Sequence, residues 1–284
     1  MKPAPFAYHA PTKLQNALNL LAALAPQDGR ILAGGQSLIP TMAFRLARPA
    51  HLIDINGIRE LDGVNVTGDR LRIGACTRHA LFESDEIPGR LGELLRKVVR
   101  FIAHYPIRQR GTFCGSIANA DPSSEWCCVT AALDGIIIAE SARGTRRIAA
   151  KDFYQALMTT ALRDDELITA VELPVLSEDT RTGFSEFSRR AGDFAIAMAL
   201  VTCRLERGLI AGARVGLGGA EAVPRRIVEA EEILNGKAPT PELFAAAGAA
   251  AAGAIEPIDD SSNPIEYRRA LVRTLVGRAL ASAA

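Results

Sequence analysis

Two short runs of small and polar residues have the composition of an anion-binding site. The first run, Ala33-Gly34-Gly35-Gln36-Ser37, follows an apolar segment that predicts a strand. Adjacent glycines let backbone N–H groups converge on a phosphate that a side chain would keep at a distance. Gln36 and Ser37 add side-chain donors, and a helix predicted to begin at Leu38 would direct its N-terminus at the same anion. The alternative is a plain turn that ends the strand.

The second run extends from Arg110 to Glu125 and lies between two strongly apolar segments. Small polar residues in such a position suit the lining of a ligand site better than a core. The Glu125 carboxylate could accept from ribose hydroxyls, as an acidic residue does in dinucleotide folds. Four further side chains could donate to phosphate or ribose oxygens: Thr112, Ser116, Asn119 and Ser123.

A capped helix is the alternative interpretation of the second run. Asp121-Pro122, with Ser123 or Ser124 as N-cap, would explain this part of the run without any ligand. That interpretation leaves the segment from Thr112 to Ser116 unexplained.

The other reactive side chains form no recognisable catalytic or metal site. The five cysteines include no C-x-x-C pair, and no histidine lies at zinc-ligand spacing from them. No Ser/His/Asp set and no carboxylate pair stands out either. We therefore predict no catalytic residue, no metal ligand and no iron–sulfur cluster on this chain, so that any such cluster would belong to a partner.

The charge pattern excludes several classes of partner. The 33 basic and 32 acidic residues are interspersed along 284 residues, with no basic stripe for nucleic acid and no polybasic segment for a membrane surface. No apolar run is long enough for a signal peptide or a membrane span. We expect a cytoplasmic protein.

Apolar periodicity places both runs between predicted elements of the first 176 residues. The helix over 12–24 would have Thr12 as its N-cap. Further helices are predicted over 38–44, 91–103, 127–133 and 151–162. Strands are predicted over 30–33, 51–55, 64–66, 70–73, 136–139 and 167–173.

A polar, turn-rich segment over 177–183 marks the predicted domain boundary. After it, strands are predicted over 184–190, 198–206 and 209–217, with Arg207-Gly208 as a hairpin turn. Helices follow over 227–234, 241–253 and 267–281. Strands followed by helices indicate an α+β fold rather than a doubly wound parallel sheet.

Four segments, in order and at the expected spacing, resemble one protein family. Residues 33–40 are similar to the A-G-G-x-S-L-x-P loop of the FAD-binding medium subunit of molybdenum hydroxylases. Residues 110–122 resemble that family's R-G-T-x-G-G-S/N-x-A-x-A-D-P segment, and residues 188–195 and Tyr267-Arg268 resemble its later signatures. The family includes carbon monoxide dehydrogenase, quinoline oxidoreductase and the xanthine dehydrogenase flavin domain.

The resemblance implies two domains and one FAD. A vanillyl-alcohol-oxidase-type (PCMH-type) FAD-binding domain of two α/β subdomains would cover residues 1–176. A small C-terminal domain with an antiparallel sheet and helices, similar to that of carbon monoxide dehydrogenase flavoproteins, would cover 177–284. The cofactor-binding residues that it implies are Ala33, Gly34, Gly35, Gln36, Ser37, Leu38, Thr112, Phe113, Cys114, Gly115, Ser116, Asn119, Asp121, Glu125, Leu167 and Ile168. Among them Glu125 would contact the ribose, and Leu167 and Ile168 would lie by the isoalloxazine ring.

The resemblance also implies partner subunits. Substrate would react on a large molybdenum subunit, and electrons would reach FAD through 2Fe–2S clusters on a small subunit before passing to an external acceptor. A dimer of heterotrimers is expected. The alternatives are a stand-alone FAD-dependent oxidase or reductase, and a degenerate scaffold subunit that has lost FAD.

Two positions depart from the family pattern. Cys114 stands where a second glycine is usual, which favours either a shifted loop or a thiol near the flavin. No lysine occurs from Phe184 to Arg190, where some relatives place one near the flavin.

Overall fold

The computed structural model describes residues 2–284, and its N-terminal part begins with a small parallel sheet. The strands pair in the order β1-β3-β2, and they are β1 (Ala7–His9), β2 (Gly29–Leu32) and β3 (His51–Asp54). Helix α1 (Leu14–Leu24) follows β1 and buries Ala17, Leu18 and Leu21, which recur on one helical face. The first glycine-containing run connects the end of β2 to the short helix α2 (Leu38–Ala43).

A second sheet of five antiparallel strands follows, in the order β4-β5-β10-β6-β7. Its strands are β4 (Val64–Thr67), β5 (Arg70–Gly74), β6 (Ile136–Ser141), β7 (Gly144–Ala149) and β10 (Leu167–Pro174). The central strand β10 buries Leu167 to Val171 without alternation, because both of its faces are covered.

Five helices connect and cover these strands. They are α3 (Gly89–Val99), α4 (Tyr105–Arg108), α5 (Phe113–Asn119), α6 (Glu125–Ala132) and α7 (Ala150–Phe153). All eight residues of α6 are buried, so this helix passes through the centre of the molecule. The second run thus becomes α5, the start of α6 and the turn between them.

The C-terminal part is a four-stranded antiparallel sheet with three helices. The strands, in the order β11-β12-β13-β14, are β11 (Arg181–Phe187), β12 (Ala197–Glu206), β13 (Leu209–Gly218) and β14 (Arg225–Arg226). The helices are α8 (Val228–Leu234), α9 (Pro241–Ala254) and α10 (Ile265–Ala283). Arg207 and Gly208 both have positive φ, 53° and 80°, as a two-residue hairpin turn requires. The predicted α+β fold and this hairpin are confirmed.

Two predictions of local structure are wrong. Helix α1 has Lys13, not Thr12, at its N-cap position. The helix predicted over 151–162 is a single turn, α7, followed by a hairpin of β8 (Tyr154–Ala156) and β9 (Thr159–Thr160). Within this segment only Phe153 and Tyr154 are fully buried and Leu162 is partly buried against the core, while Leu157 and Met158 are exposed, so these side chains do not form one buried helical face.

No helix within residues 2–284 is both long and apolar enough to cross a membrane.

Candidate cofactor-binding site

The two runs meet at a cavity of 630 Å³. It lies between the first loop, the second loop, the start of β10 and the segment before β12. All but one of the residues predicted to bind a cofactor line it: Ala33, Gly34, Gly35, Gln36, Ser37, Leu38, Thr112, Cys114, Gly115, Ser116, Asn119, Asp121, Glu125, Leu167 and Ile168. The exception is Phe113.

The first loop, residues 33–37, carries a set of free backbone donors. Within residues 2–284, the N–H groups of residues 34–38 donate to no protein acceptor, whereas the Ile39 N–H is bonded to the Gly35 carbonyl at 3.0 Å. Gly35 has φ of 72°, a left-handed conformation that costs glycine little. The Gln36 amide donates to the Gly34 carbonyl at 3.1 Å and so fixes the turn. Consecutive free N–H groups of this kind form an anion-binding nest.

The second loop, residues 110–116, enters helix α5 through a capping hydrogen bond. The Gly115 N–H donates to Thr112 Oγ1 at 3.0 Å, and a Cβ on residue 115 would come within 2.6 Å of that oxygen. Capping therefore explains Thr112 and Gly115, which the sequence left without a structural account. Within residues 2–284 the N–H groups of Thr112 and Cys114 have no protein acceptor.

The two loops touch at Gly34. A Cβ on Gly34 would come within 2.7 Å of the Gly111 Cα and closer still to the Arg110 carbonyl oxygen. Only glycine permits this approach. The free N–H groups of both loops therefore border one cavity.

The side chains of Phe113 and Cys114 turn into the core instead. The Phe113 ring packs between Phe82 and Trp126, at centroid distances of 5.5 and 4.9 Å. The Cys114 thiol is 3.6 Å from the carbonyl oxygens of Ile73 and Gly74, and burial raises its pKa far above the ordinary value. Cys114 thus fills space under the loop as a buried thiol.

Glu125 is a buried carboxyl group on the cavity wall, at the first position of α6. Burial raises its pKa to about 7, against the lowering effect of its own backbone N–H, and the charge of Asp121 raises it further. Glu186 on β11 also has a raised pKa, chiefly through burial and also through the charge of Glu125. Burial without a paired cation therefore favours the neutral form of both groups.

The cavity also includes residues that the sequence analysis missed, among them His79 and Phe194. The indole N–H of Trp126 donates to His79 Nδ1 at 2.9 Å, which leaves the ring proton on Nε2. Burial, with smaller contributions from Arg108 and Arg78, lowers the pKa of His79 to about 3, so the ring is neutral. Phe194 lines the cavity with 74% of its surface exposed. Phe194 lies in the third signature segment, whereas no sequence spacing singles out His79.

The cavity lining combines two kinds of groups. The two loops contribute backbone donors and the hydroxyls of Thr112 and Ser116. Apolar side chains also line the cavity: Ile102, Ile107, Leu162, Leu167 and Ile168. A ligand with an anionic centre and an extended aromatic ring would match both kinds of groups.

Within residues 2–284 no group of three or more His, Cys, Asp or Glu side chains could hold a metal ion.

Two family profiles cover nearly the whole chain. Residues 4–176 match the FAD binding domain in molybdopterin dehydrogenase, and residues 182–283 match the CO dehydrogenase flavoprotein C-terminal domain.

Individual relatives are similar over their full length. The nicotine 6-hydroxylase medium subunit of Paenarthrobacter nicotinovorans is 36% identical, with 100% of this chain and 99% of the relative covered. The carbon monoxide dehydrogenase medium chain of Afipia carboxidovorans is 35% identical, with 99% of this chain and 97% of the relative covered. Among solved structures, carbon monoxide dehydrogenase from Hydrogenophaga pseudoflava superposes with a TM-score of 0.95 at 35% identity, with 100% of this chain and 98% of that chain covered.

Proposed function

This chain belongs to the FAD-binding medium subunits of molybdenum hydroxylases, and we propose that its two loops hold one FAD by the pyrophosphate. As a member of this family, it is the flavoprotein subunit of an oxidoreductase complex and not a self-contained enzyme. Its task is to pass electrons from iron–sulfur clusters on a partner, by way of FAD, to an external acceptor.

The free N–H groups of residues 34–38 carry this proposal. Within residues 2–284 they have no protein acceptor, and they face the same cavity as the free N–H groups of Thr112 and Cys114. A pyrophosphate would supply acceptors to both loops at once, without a metal ion. The hydroxyls of Thr112 and Ser116 and the amide of Gln36 would add side-chain contacts.

The rest of the cofactor would follow the cavity away from the loops. Glu125, Asn119 and Asp121 would contact the ribose and ribityl hydroxyls, and an ionised Glu125 would accept from them. Leu167 and Ile168 would pack against the isoalloxazine ring. Of the predicted residues, Phe113 would support the second loop from the core rather than contact FAD, because its ring packs in the core and its N–H donates to the Thr77 oxygen.

FAD, once bound, supplies the redox chemistry, since its ring takes up two electrons and can release them singly or in pairs. The protein residues bind the phosphates, orient the ring and keep water from its buried face. This chain would not oxidise the substrate itself, so it needs no residue for proton transfer to or from a substrate. The substrate would react at molybdenum on a large subunit.

Three further features belong to the same proposal. The FAD-binding domain would cover residues 1–176 and the C-terminal domain residues 177–284, since two buried cores divide largely along this line. The relatives are named medium subunits or chains, names that imply a smaller and a larger companion. Two such heterotrimers would form a symmetric dimer in the cytoplasm.

Purification of the native complex tests the proposed function. We expect one FAD per copy of this chain, together with a small chain that carries iron and a large chain that carries molybdenum. Deflavinated complex should recover its flavin absorption on titration with FAD. A complex that contains all three chains but neither contains nor takes up flavin would contradict the proposal and favour a scaffold role.

A further inference from the structure

A hydrogen-bond network lies on the far side of the first loop from the 630 Å³ cavity. A second cavity, of 390 Å³, shares residues 32–36 with the first one. Asp54, Asn56 and Arg110 line only this second cavity. The loop is therefore a wall between two cavities. The side chains that border only the second cavity lie outside the proposed FAD site.

Asn56 holds the carbonyl group that precedes Gly34. Its Nδ2 donates to the Ala33 carbonyl oxygen at 2.8 Å. In a trans peptide the C=O of one residue and the N–H of the next point in opposite directions, and the Ala33–Gly34 peptide is trans. Because Asn56 draws the Ala33 oxygen toward the second cavity, the Gly34 N–H is turned toward the first.

The amide of Asn56 can satisfy its partners in only one orientation. Its Nδ2 also donates to Asp54 Oδ1 at 2.5 Å, and its Oδ1 accepts from Arg78 Nη2 at 2.5 Å. Tyr8 in turn donates its hydroxyl to the other Asp54 oxygen at 2.5 Å. If the amide were rotated by 180°, its NH₂ group would face the Arg78 donor. Its oxygen would then face two acceptors, the Ala33 carbonyl oxygen and Asp54 Oδ1.

Arg78 connects the same amide to the second loop. Its other terminal nitrogen, Nη1, donates to the Arg110 carbonyl oxygen. Its backbone forms an antiparallel bridge with Thr112, flanked by two hydrogen bonds of 3.0 Å, from the His79 N–H to the Gly111 oxygen and from the Phe113 N–H to the Thr77 oxygen. The planar guanidinium therefore links the second loop directly, and the first loop through Asn56, at a fixed spacing.

On the basis of the proposed function, we propose that Asn56 and Arg78 are positioning residues for the FAD phosphates. Neither side chain lines the first cavity. Asn56 directs the Gly34 N–H at the phosphate, and Arg78 sets the separation between the two loops that share it.

The test uses deflavinated complex that carries Asn56→Asp in this chain. The substitution keeps the shape of the side chain but replaces the Nδ2 donor with an oxygen that repels the Ala33 carbonyl. Loss of one directed N–H to a charged phosphate should raise the dissociation constant for FAD about tenfold. The phosphorus-31 resonances of the FAD that does bind should shift, because the phosphate loses a donor. A role confined to overall folding would leave those resonances in place.

Two further variants sharpen the result. Asn65→Asp makes the same change on β4, where the side chain hydrogen-bonds only to Thr67, and should bind FAD as wild type does. Arg78→Lys keeps the charge but cannot reach both acceptors, and should weaken FAD binding as Asn56→Asp does. Unchanged affinity and unchanged phosphorus resonances in Asn56→Asp and Arg78→Lys would overturn this inference. Wild-type complex that takes up no FAD would overturn the proposed function itself.

Discussion

Gly34 packs against Gly111 so closely that a Cβ on Gly34 would lie 2.7 Å from the Gly111 Cα. This contact brings together two loops that are more than seventy residues apart in the sequence. The backbone donors of both loops then border a single cavity. We therefore expect the space at this contact to determine how tightly the cofactor binds.

Gly34→Ala should separate the loops and weaken FAD binding by at least about tenfold, since backbone atoms on both sides cannot yield as a side chain could. Titration of deflavinated complex with FAD, followed by flavin fluorescence, measures the effect. The matched control is Gly253→Ala in α9, where a Cβ would meet no atom within 4 Å. Equal affinity of the two variants would show that the loops need not touch to bind FAD.

Gly35→Val should abolish FAD retention for a different reason. Gly35 has φ of 72°, which a β-branched residue adopts only at a cost of about 1–2 kcal/mol. The new side chain would also press on Ile39 and Leu32, each 3.1 Å from the position of its Cβ. Flavin absorption of the purified variant provides the measurement, and circular dichroism should show that the chain remains folded. The control is Gly277→Val on α10, where the new Cβ would meet no atom within 4 Å. Full flavin occupancy in Gly35→Val would exclude the first loop as the phosphate site.

The flavin should be bound without a covalent link. Of the side chains able to attach a flavin, Cys114 is directed at the carbonyls of Ile73 and Gly74, and burial holds its pKa far above the ordinary value, so it is a poor nucleophile. His79 is held by Trp126, and the ring of His104 packs against the backbone of Gly192. Acid precipitation should release all flavin into the supernatant. Yellow colour that persists in the washed pellet would contradict this prediction.

Glu125 should make the stability of the flavin-free chain depend on pH. Its pKa is about 7 in the folded protein and 4.5 ordinarily, so between these values the folded state holds a proton that the unfolded state has lost. The contribution of Glu125 to stability should therefore fall as pH rises from about 4.5 to about 7, by roughly 3.5 kcal/mol at 1.4 kcal/mol per pKa unit. His79, whose pKa is lowered, changes stability in the opposite direction over this range, and Glu186 changes it in the same direction. Urea unfolding at several pH values measures the slope.

Glu125→Gln should remove this contribution and leave those of His79 and Glu186 in place, because the amide does not titrate. Glu232→Gln, at an exposed position of α8, should retain it. Identical pH profiles for wild type and Glu125→Gln would mean that Glu125 ionises normally in the folded chain.

The isolated chain should accept electrons from chemical reductants but not from organic substrates. Its cavity wall carries a neutral His79 and the buried Glu125, and within residues 2–284 no metal-binding cluster accompanies them. Anaerobic mixing with small aromatic and carbonyl compounds, followed by flavin absorbance, measures this directly. Bleaching in the absence of partner subunits would establish a stand-alone oxidase instead, whereas turnover restored by the small and large subunits would support the proposed electron path.

Much of this molecule follows from local sequence. Adjacent glycines after a strand, as at Gly34-Gly35, specify a tight backbone that exposes N–H groups, because no side chain competes for the space. Apolar repeats in α1 and α10 and the Arg207-Gly208 turn specify elements through short-range geometry alone. The signature segments identified the family, since their order and spacing survive at about one third identity.

The tertiary structure decided what these elements do together. Phe113 belongs to a segment whose composition predicts ligand binding, yet its ring packs against Trp126. Strands distant in the sequence determine which face of α5 meets the core. The segment over 151–162 has the apolar content of a helix but forms a single helical turn and a hairpin, since only Phe153 and Tyr154 are fully buried and Leu157 and Met158 are exposed. His79, Asn56 and Arg78 acquire their roles solely from partners on other elements. Contacts between residues far apart in the chain depend on how whole elements pack, and no local spacing encodes that packing.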